Sequence, residues 1–319
     1  MNQNEQLDRI SKKMRWDVKK HRDRYLHGNR ADEIMSMYQK RTGQRFAIDA
    51  PVSYNEKIQW LKCFWRDALA IRCADKLQLR SYLEGCGLRE YSMPIIGSWI
   101  RSEDIPFQDL PQRYVLKANH SSGMNVFVDD ALSFDHEKAR RVYHQVLQCC
   151  PFHLNFEWVY EAMTPTIIAE PILPHDGHVL FDYKFYCFRG KARFVHILNA
   201  VDPNDPSTEP EALFLDHDFN PVDGWFGYRP MSVMPRLSVY LEDMKRIAER
   251  VSAPFPHVRV DLVATDHAFY IGEMTFFPGS GCDEFSDDAL AVEMGKYIKI
   301  DEIKDAMQEK RNDHEQANK

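Results

Sequence analysis

The feature that most restricts the fold of this chain is a series of short strand-like segments between residues 113 and 276. They are rich in β-branched and aromatic residues and are separated by turn-forming residues, a pattern that predicts strands. The segments are RYVLKAN (113–119), NVFV (125–128), TIIAEPIL (166–173), FDYKFYCF (181–188), ARFVHILN (192–199), VRVDLVA (258–264) and FYIGEMTF (269–276). Helical patterns precede and interrupt them, so we predict an α+β or α/β architecture.

Residues 4 to 26 are typical of an amphipathic helix, because apolar residues recur at three- and four-residue spacing. The apolar positions are Leu7, Ile10, Met14 and Val18. The other face carries Arg9, Lys12, Lys13, Arg15, Lys19, Lys20, Arg22 and Arg24. This basic face is either simply solvated or a contact for an anionic membrane or polysaccharide.

Three further stretches give the remaining organisation. Residues 54 to 84 are predicted to be helical, ending at Gly85 and Gly87, and an apolar stripe from Leu237 to Val251 predicts another helix. Residues 202 to 235 contain many Pro, Asp and Asn and are predicted to be mostly loop. The polar tail beyond about residue 305 is expected to fray.

Composition excludes several classes of protein. The 319-residue chain has a net charge of −7, which disfavours a dedicated nucleic-acid binder. It contains no apolar run long enough to span a membrane, and its N-terminus lacks the apolar core of a secretory signal. Seven cysteines without a CxxC pair fit reduced thiols better than disulfides or a zinc site. We therefore expect a cytoplasmic enzyme.

The last two strand segments place acidic residues close together. Alternate residues of a strand share a face, so Arg259 lies beside Asp261, and Glu273 lies beside Thr275 on the partner strand. Two neighbouring carboxylates repel each other unless a cation separates them, and Mg²⁺ is a cation of the required kind. Solvated acids on an exposed hairpin are the alternative.

Two other strands carry unusual charges. Lys117 lies inside an apolar strand and precedes the turn His120-Ser121-Ser122-Gly123, a combination that could bind phosphate, or could be a solvated lysine on an edge strand. Asp182 and Lys184 share one face of a half-buried strand, which could face a cleft or form a surface salt bridge.

The order of these segments resembles the ATP-grasp superfamily, and specifically its TupA-like branch, which is associated with polysaccharide assembly. The resemblance rests on YNEKIQWLK (54–62), ADK (74–76), YVLKANHSSGMNV (114–126), EWVYEAMTPTIIAEPIL (157–173), DYKFYCFRGK (182–191) and RVDLVATDHAFYIGEMTFFPGSG (259–281). It implies an ATP-grasp fold, in which two α+β subdomains clasp ATP. We expect a helical N-terminal extension at 1–53, an ATP-grasp domain at 54–305 and a polar tail at 306–319. Within the domain we expect a small subdomain at about 113–175 and a larger one at about 176–305.

The resemblance also implies roles for particular residues. The residues expected to contact ATP are Lys76, Lys117, Ser121, Ser122, Gly123, Glu170, Pro171, Ile172, Leu173 and Lys184. Arg259 and Lys184 are expected to act on the transferred phosphoryl group, while Asp261 and Glu273 are expected to hold Mg²⁺ or Mn²⁺. Thr275 stands where many members of the superfamily have an asparagine ligand, and Ser280 and Gly281 are expected at the acceptor site. Lys62, in an ordinary helical stretch, is expected to be dispensable.

The activity that the resemblance implies is carboxylate–amine ligation through an acyl phosphate. The implied substrates are a uronic acid of a bacterial surface polysaccharide, such as a capsule, or its precursor, and an amino acid or similar amine. A glycosyltransferase is one alternative, although Asp216-His217-Asp218 is only a formal metal motif. A catalytically silent nucleotide-binding module is the other.

Overall fold

The computed structural model describes residues 2–25, 30–121, 123–149, 155–173, 181–199, 210–235 and 237–317. Helices α1 to α9 are Gln3–Tyr25, Arg30–Thr42, Tyr54–Phe64, Ala68–Ala74, Gln78–Gly85, His136–Leu147, Leu241–Ser252, Asp288–Gly295 and Ile300–Ala317. Strands β1 to β10 are Gly97–Trp99, Tyr114–Ala118, Val126–Val128, Ile167–Pro171, Phe181–Phe188, Lys191–Asn199, Glu211–Asp216, Arg229–Pro230, Val258–Ala264 and Phe269–Thr275. The architecture is α+β, with two separate sheets.

The helices that precede the sheets begin at well-defined caps. Ser53 caps α3 through a capping box, in which its side chain accepts from the backbone N–H of Glu56 while Glu56 accepts from the backbone N–H of Ser53. Asp67 caps α4 by accepting from the N–H of Leu69. Helix α3 packs against α8 and against the short turn at Pro278–Gly281, so its start fixes one side of that turn.

In the part of the chain that the structure describes, the smaller sheet has four antiparallel strands in the order β1-β4-β2-β3. One face is covered by α1 and α6, and Leu7, Ile10 and Met14 of α1 are buried in this core as the sequence predicts. The side chain of Val18 lies outside the described residues. Strand β1 joins this sheet although it precedes residue 113, the predicted start of the small subdomain.

Among the described residues, the larger sheet has six strands in the order β10-β9-β5-β6-β7-β8, antiparallel except for the pairing of β7 with β8. Helix α7 covers one face and buries Met244, Ala248 and Val251 in the same core as the apolar residues of β5 and β9. The predicted hairpin of β5 and β6 is present, and its two-residue turn has positive φ at Arg189 (49°) and Gly190 (72°). This is the backbone combination that favours tight hairpins.

Strand β10 contains a bulge at Gly272 that decides which of its side chains face the same way as those of β9. Ile271 pairs with Leu262, but the next pair along the ladder joins Glu273, not Gly272, to Asp261. Because side chains alternate between faces, an unbulged ladder would place Glu273 on the opposite face from Asp261. A glycine inside a strand is the expected residue at such a bulge.

The described part of 202–235 is mostly loop, as predicted, but it also contains β7 (Glu211–Asp216) and β8 (Arg229–Pro230), since Phe214 and Leu215 are buried against β6. The prediction for the C-terminal tail was wrong. The tail expected to fray beyond 305 is helical to Ala317 as part of α9, which is anchored by the buried Ile300 and Ile303. Within the described residues, no helix combines the length and the apolarity that crossing a bilayer requires.

Candidate functional site

One face of the larger sheet carries a compact group of charged side chains. The strand register places Lys184 of β5 opposite Asp261 of β9, and Asp261 opposite Glu273 of β10. Thr275 lies opposite Arg259 in the same ladder. The prediction that the two acidic residues lie close together is confirmed. The bulge at Gly272 is the cause, because it turns the Glu273 side chain to the same face of the sheet as Asp261.

Each of the two carboxylates is held by cations. The Nε and one terminal nitrogen of Arg259 each donate to one oxygen of Asp261 at 2.6 Å, and Lys184 Nζ lies 3.0 Å from Asp261 Oδ2. Lys76 Nζ lies 3.0 Å from Glu273 Oε2, and Arg259 lies 3.6 Å from Glu273 Oε1. Arg259 and two of the predicted phosphate-contacting lysines, Lys76 and Lys184, therefore surround the predicted metal ligands.

Electrostatics keep this group charged. Lys76 holds the pKa of the Glu273 carboxyl well below its usual range, although burial alone would raise that pKa. Burial would lower the pKa of Lys184, but the nearby Asp261 carboxylate outweighs this effect and raises it. Both residues are therefore ionised at neutral pH, as binding of a metal ion and of phosphate requires.

The oxygen atoms of this group suit a magnesium ion whose remaining coordination positions are filled by phosphate and water. Asp261 and Glu273 supply carboxylates, and the Thr275 hydroxyl donates to Glu273 Oε1 at 3.0 Å while it accepts from Arg259 at 3.2 Å. Among the described residues, no three His, Cys, Asp or Glu side chains form a metal site by themselves. Mg²⁺ commonly binds through only one or two carboxylates together with substrate phosphates and water, so this set fits.

The smaller sheet presents a second charged pair toward the same region. Lys117 Nζ lies 2.5 Å from Glu170 Oε2, on the sheet face opposite α1 and α6. Glu170, Lys76 and Gly272 line one narrow cavity, so the polar faces of the two sheets adjoin there. Lys117 also acts electrostatically on Asp182 of β5.

The other residues predicted to contact nucleotide flank this pair. The Ser121 hydroxyl is buried and makes no hydrogen bond within the described structure, and Gly123 has φ +71°. Ser122 lies outside the described residues. Pro171 ends β4, and Ile172 and Leu173 follow it at the edge of the described segment.

The Pro278–Gly281 turn packs against α3, which donates hydrogen bonds to it. Its last three residues all have positive φ (53°, 58° and 62°), an unfavourable conformation for Ser280 that the surroundings must enforce. Gln59 donates from Nε2 to the carbonyl oxygens of Ser280 (2.9 Å) and Gly281 (2.7 Å). A side chain at Gly281 would collide with Gln59 and Ile58, so only glycine fits there.

Lys62 does not lie on an ordinary solvated helix face, so the reason for expecting it to be dispensable does not hold. Lys62 is fully buried, and its Nζ donates to both the carbonyl oxygen and the hydroxyl of Ser280 at 2.6 Å. Burial lowers the pKa of Lys62 to about 8, although the buried Glu157 nearby acts in the opposite direction. Sequence reasoning missed this lysine because it treated the helix as ordinary. The one available signal was its position among apolar residues of α3, next to Leu61.

A family model described as TupA-like ATPgrasp matches residues 56–299. Similar solved structures include an L-amino acid ligase from Bacillus licheniformis (16% identity, TM-score 0.37, 66% of this chain and 42% of that chain). A second is the ATP-grasp ligase PsnB with its minimal precursor (11% identity, TM-score 0.38, 67% of this chain and 55% of that chain). A third is D-alanine–D-alanine ligase from Bacillus anthracis (17% identity, TM-score 0.40, 76% of this chain and 69% of that chain). No curated protein matches the chain.

This chain spans less than two thirds of the length of the first two of these structures. The family match, in contrast, covers more than half of the present chain, from α3 to the residue before α9. The matched region contains both sheets and every charged residue of the group described above. The chain belongs to the TupA-like ATP-grasp family.

Proposed function

We propose that this protein is an ATP- and Mg²⁺-dependent ligase that joins a carboxylate to an amine through an acyl phosphate. The observation that carries the proposal is the convergence of Lys76, Lys184 and Arg259 on the two carboxylates of Asp261 and Glu273. Cations that can contact phosphate oxygens thus lie directly beside carboxylates that can hold a metal ion, which is the combination that a magnesium–triphosphate complex requires.

In this proposal ATP lies between the small subdomain (about 113–175) and the large one (about 176–305). Lys117 and Lys76 contact phosphate oxygens, and the backbone of Glu170 to Leu173 holds the adenine. Because Pro171 has no N–H, a backbone donor there comes from Ile172 or Leu173. The buried, unpartnered Ser121 hydroxyl supports a role for the loop that follows β2 in covering the phosphates.

Asp261 and Glu273 would hold the magnesium ion, with Thr275 as a weaker hydroxyl ligand. The ion would supply neutralisation of negative charge on the β- and γ-phosphates. Manganese, which prefers similar oxygen ligands, would be accepted in its place.

Lys184 and Arg259 bind the transferred phosphoryl group. Their positive charges stabilise the negative charge that develops as the substrate carboxylate attacks the γ-phosphorus. Lys184 stays protonated in this role, because the Asp261 carboxylate raises its pKa. Closure of the loop at 120–125 would keep water from the acyl phosphate.

The substrates in this proposal are a uronic acid of a bacterial surface polysaccharide or its precursor, and an amino acid or similar amine. Family resemblance supports the sugar acid. The turn at Ser280 and Gly281 supports an acceptor site, because Lys62 and Gln59 hold its unusual backbone in place.

A cytoplasmic location and peripheral contact with a membrane through α1 both remain predictions. Arg9 and Lys12 are exposed on α1, while the basic side chains from Arg15 onward lie outside the described residues.

The glycosyltransferase alternative gains no support from the acidic motif at the end of β7. Asp216 accepts hydrogen bonds from the backbone N–H groups of Asp218 and Asn220, so its carboxylate stabilises a turn. The alternative of a silent nucleotide-binding module is disfavoured by the intact charged group around Asp261.

A turnover assay tests the proposal. Purified protein, ATP and Mg²⁺ are incubated with pairs drawn from a panel of uronic acids and amino acids, and orthophosphate release is measured. The proposal expects release that requires both members of one pair. Sugar transfer from a sugar nucleotide without ATP consumption would overturn it.

A further inference from the structure

A large cavity lies beside the Pro278–Gly281 turn, between α2, α3, α8 and the segment that follows the turn. Its volume is about 750 Å³, and its lining includes Arg41, Arg45, Asn55 and Asp283. A cavity of this size is within the range that small-molecule sites occupy. None of its lining residues is among the predicted contacts of ATP or metal.

Asp283 is an acid without a partner in this cavity. Its carboxylate lies against the backbone of Gly279, so closely that a Cβ there would be 1.9 Å from Oδ1, and it also lies beside Gly227. Within the described structure its side chain makes no hydrogen bond or salt bridge, whereas Asp261 and Glu273 are each bound by cations. Two glycines thus leave room for a carboxylate that the protein itself does not neutralise.

Asn55 adds a second unsatisfied oxygen. Its side-chain Nδ2 donates to the backbone carbonyl of Asp283 at 2.7 Å, which fixes the position of that residue. Its Oδ1 is buried without a hydrogen-bond partner in the described structure, and the residue is only 6% exposed. This oxygen is closed off from solvent, so a ligand does not contact it directly, but its unpaired negative end adds to the attraction of the Asp283 carboxylate for a cation.

Positive charge lies at the rim of the cavity. Arg41 and Arg45 are exposed at and just beyond the end of α2. Arg41 donates to Asn155 at 2.9 Å, which leaves other donors of its guanidinium for a ligand. The cavity therefore offers the unpaired Asp283 carboxylate and, among its exposed residues, the cationic donors of Arg41 and Arg45 together with the acids Glu284 and Asp288.

We propose that this cavity binds the amine substrate as a zwitterion, with its ammonium on the Asp283 carboxylate and its carboxylate toward Arg41 and Arg45. This inference rests on the proposed ligase function and names the acceptor's site and class, an amino acid with a free carboxylate. Ser280, three residues before Asp283, belongs to the turn already expected at the acceptor site.

Asp283 would also take one proton from the ammonium, because only the neutral amine is a nucleophile. The amine nitrogen then forms a bond to the acyl carbon, the bond from that carbon to the phosphate oxygen breaks, and orthophosphate leaves with the electron pair. The departing orthophosphate takes the second proton from the nitrogen as the amide forms. Burial raises the pKa of the Asp283 carboxyl, with Arg259 acting in the opposite direction, and a raised pKa favours proton acceptance.

Binding of a panel of L- and D-amino acids, measured by ligand-observed NMR on the full chain, tests the site without ATP. We expect at least one amino acid to bind, and its N-acetyl form not to bind. Asp283→Asn should weaken binding by about tenfold to a hundredfold, the loss expected for a charged hydrogen bond. Asp266→Asn, which removes an exposed acid outside the cavity, should change binding less than about twofold, as expected of a solvated surface charge.

A second measurement separates failure of this inference from failure of the proposed function. With hydroxylamine, which is neutral at pH 7, Asp283→Asn should still form the hydroxamate of the activated carboxylate, but it should lose ligation to the amino acid. Hydroxamate formation also shows that the variant is folded. Absence of amino-acid binding to the wild type, equal binding to Asp283→Asn, or equal binding of the N-acetyl form would overturn the inference. Absence of hydroxamate from the wild type would instead count against the ligase.

Discussion

Arg259 and Asp261, two residues apart on β9, form a two-point ion pair in which each carboxylate oxygen accepts from a different guanidinium nitrogen at 2.6 Å. Alternate residues of a strand share a face, which is why this spacing permits the pair. The arginine expected to bind the transferred phosphoryl group thus neutralises the acid expected to bind the metal ion. We expect the two to exchange partners when ATP and Mg²⁺ enter, since phosphate attracts the guanidinium and the metal attracts the carboxylate.

Asp261→Asn should abolish turnover and also destabilise the fold. The substitution leaves Arg259 and Lys184, both largely buried, without their shared negative partner. Loss of one member of a buried ion pair costs about 3–5 kcal/mol, so we expect a decrease in the free energy of unfolding toward that range. Urea denaturation measures it, with Asp266→Asn at the exposed turn of the same hairpin as the control. Equal stability of the two variants would contradict the importance of the pair.

Removal of the divalent metal should weaken ATP binding. Without it, Asp261 and Glu273 would face the triphosphate with like charge. Calorimetric titration of ATP with Mg²⁺, with Mn²⁺ and with excess chelator measures the effect. Turnover that survives exhaustive chelation would show that no metal ion is required.

Glu273→Ala should abolish turnover while leaving the fold intact. The Glu273 side chain is 28% exposed, whereas that of Asp261 is 9% exposed, and Arg259 keeps its closer partner Asp261 when Glu273 is removed. Circular dichroism and the melting temperature provide the folding control. A variant that retains wild-type turnover would exclude Glu273 as a metal ligand.

Lys117→Ala and Lys184→Ala should each lose about 2–4 kcal/mol of transition-state stabilisation, the range for one preorganised electrostatic contact. In steady-state kinetics this corresponds to a decrease of roughly thirtyfold to a thousandfold in kcat/KM. Lys191→Ala is the matched control, because Lys191 is exposed at the start of β6 in the same hairpin as Lys184. Equal losses from all three variants would mean that net charge, rather than position, matters.

The strands that carry the site could be predicted because their residues are distinctive. β9 and β10 alternate buried apolar residues with Arg259, Asp261, Glu273 and Thr275, so their charged positions are visible in the sequence. The glycine at 272 is compatible with the bulge that aligns Glu273 with Asp261, but only the structure shows that the bulge is present. The sequence does not predict β7, because many turn-forming residues surround this segment. The segment is a strand because it pairs with β6.

The contacts around the 278–281 turn could not be predicted from the sequence. Lys62 and Ser280 are more than two hundred residues apart, and nothing local to either indicates that they meet. The same holds for Asn55 and Asp283. Such pairs depend on how α3 packs against the end of β10, which is a property of the tertiary fold rather than of local sequence patterns.

The buried Lys62 should make stability depend on pH. Burial lowers its folded-state pKa to about 8 from 10.5. Above pH 8 the unfolded chain therefore holds a proton that the folded chain has lost, and the contribution of Lys62 to stability becomes more favourable as the pH rises. Relative to Lys62→Met, the wild type should gain about 2–3 kcal/mol in free energy of unfolding between pH 7 and pH 10.

Urea denaturation of both proteins across this pH range measures the difference, and effects of other titrating groups cancel because both proteins contain them. A difference that is independent of pH would show that Lys62 titrates normally. Lys62→Met should also disturb the turn at Ser280, since the donor to its carbonyl and hydroxyl is lost. We therefore expect a raised KM for the acceptor with little change in ATP binding.

The nucleotide product tests the central claim most directly. Lys76, Lys184 and Arg259 surround the candidate metal ligands. These ligands, Asp261 and Glu273, mark the place where the terminal phosphoryl group of ATP is proposed to bind. Incubation with ATP, Mg²⁺, the carboxylate substrate and hydroxylamine should therefore yield ADP, orthophosphate and a hydroxamate in equal amounts, detected by chromatography and mass spectrometry. Formation of AMP and pyrophosphate would contradict the acyl-phosphate route and leave only the nucleotide-binding fold.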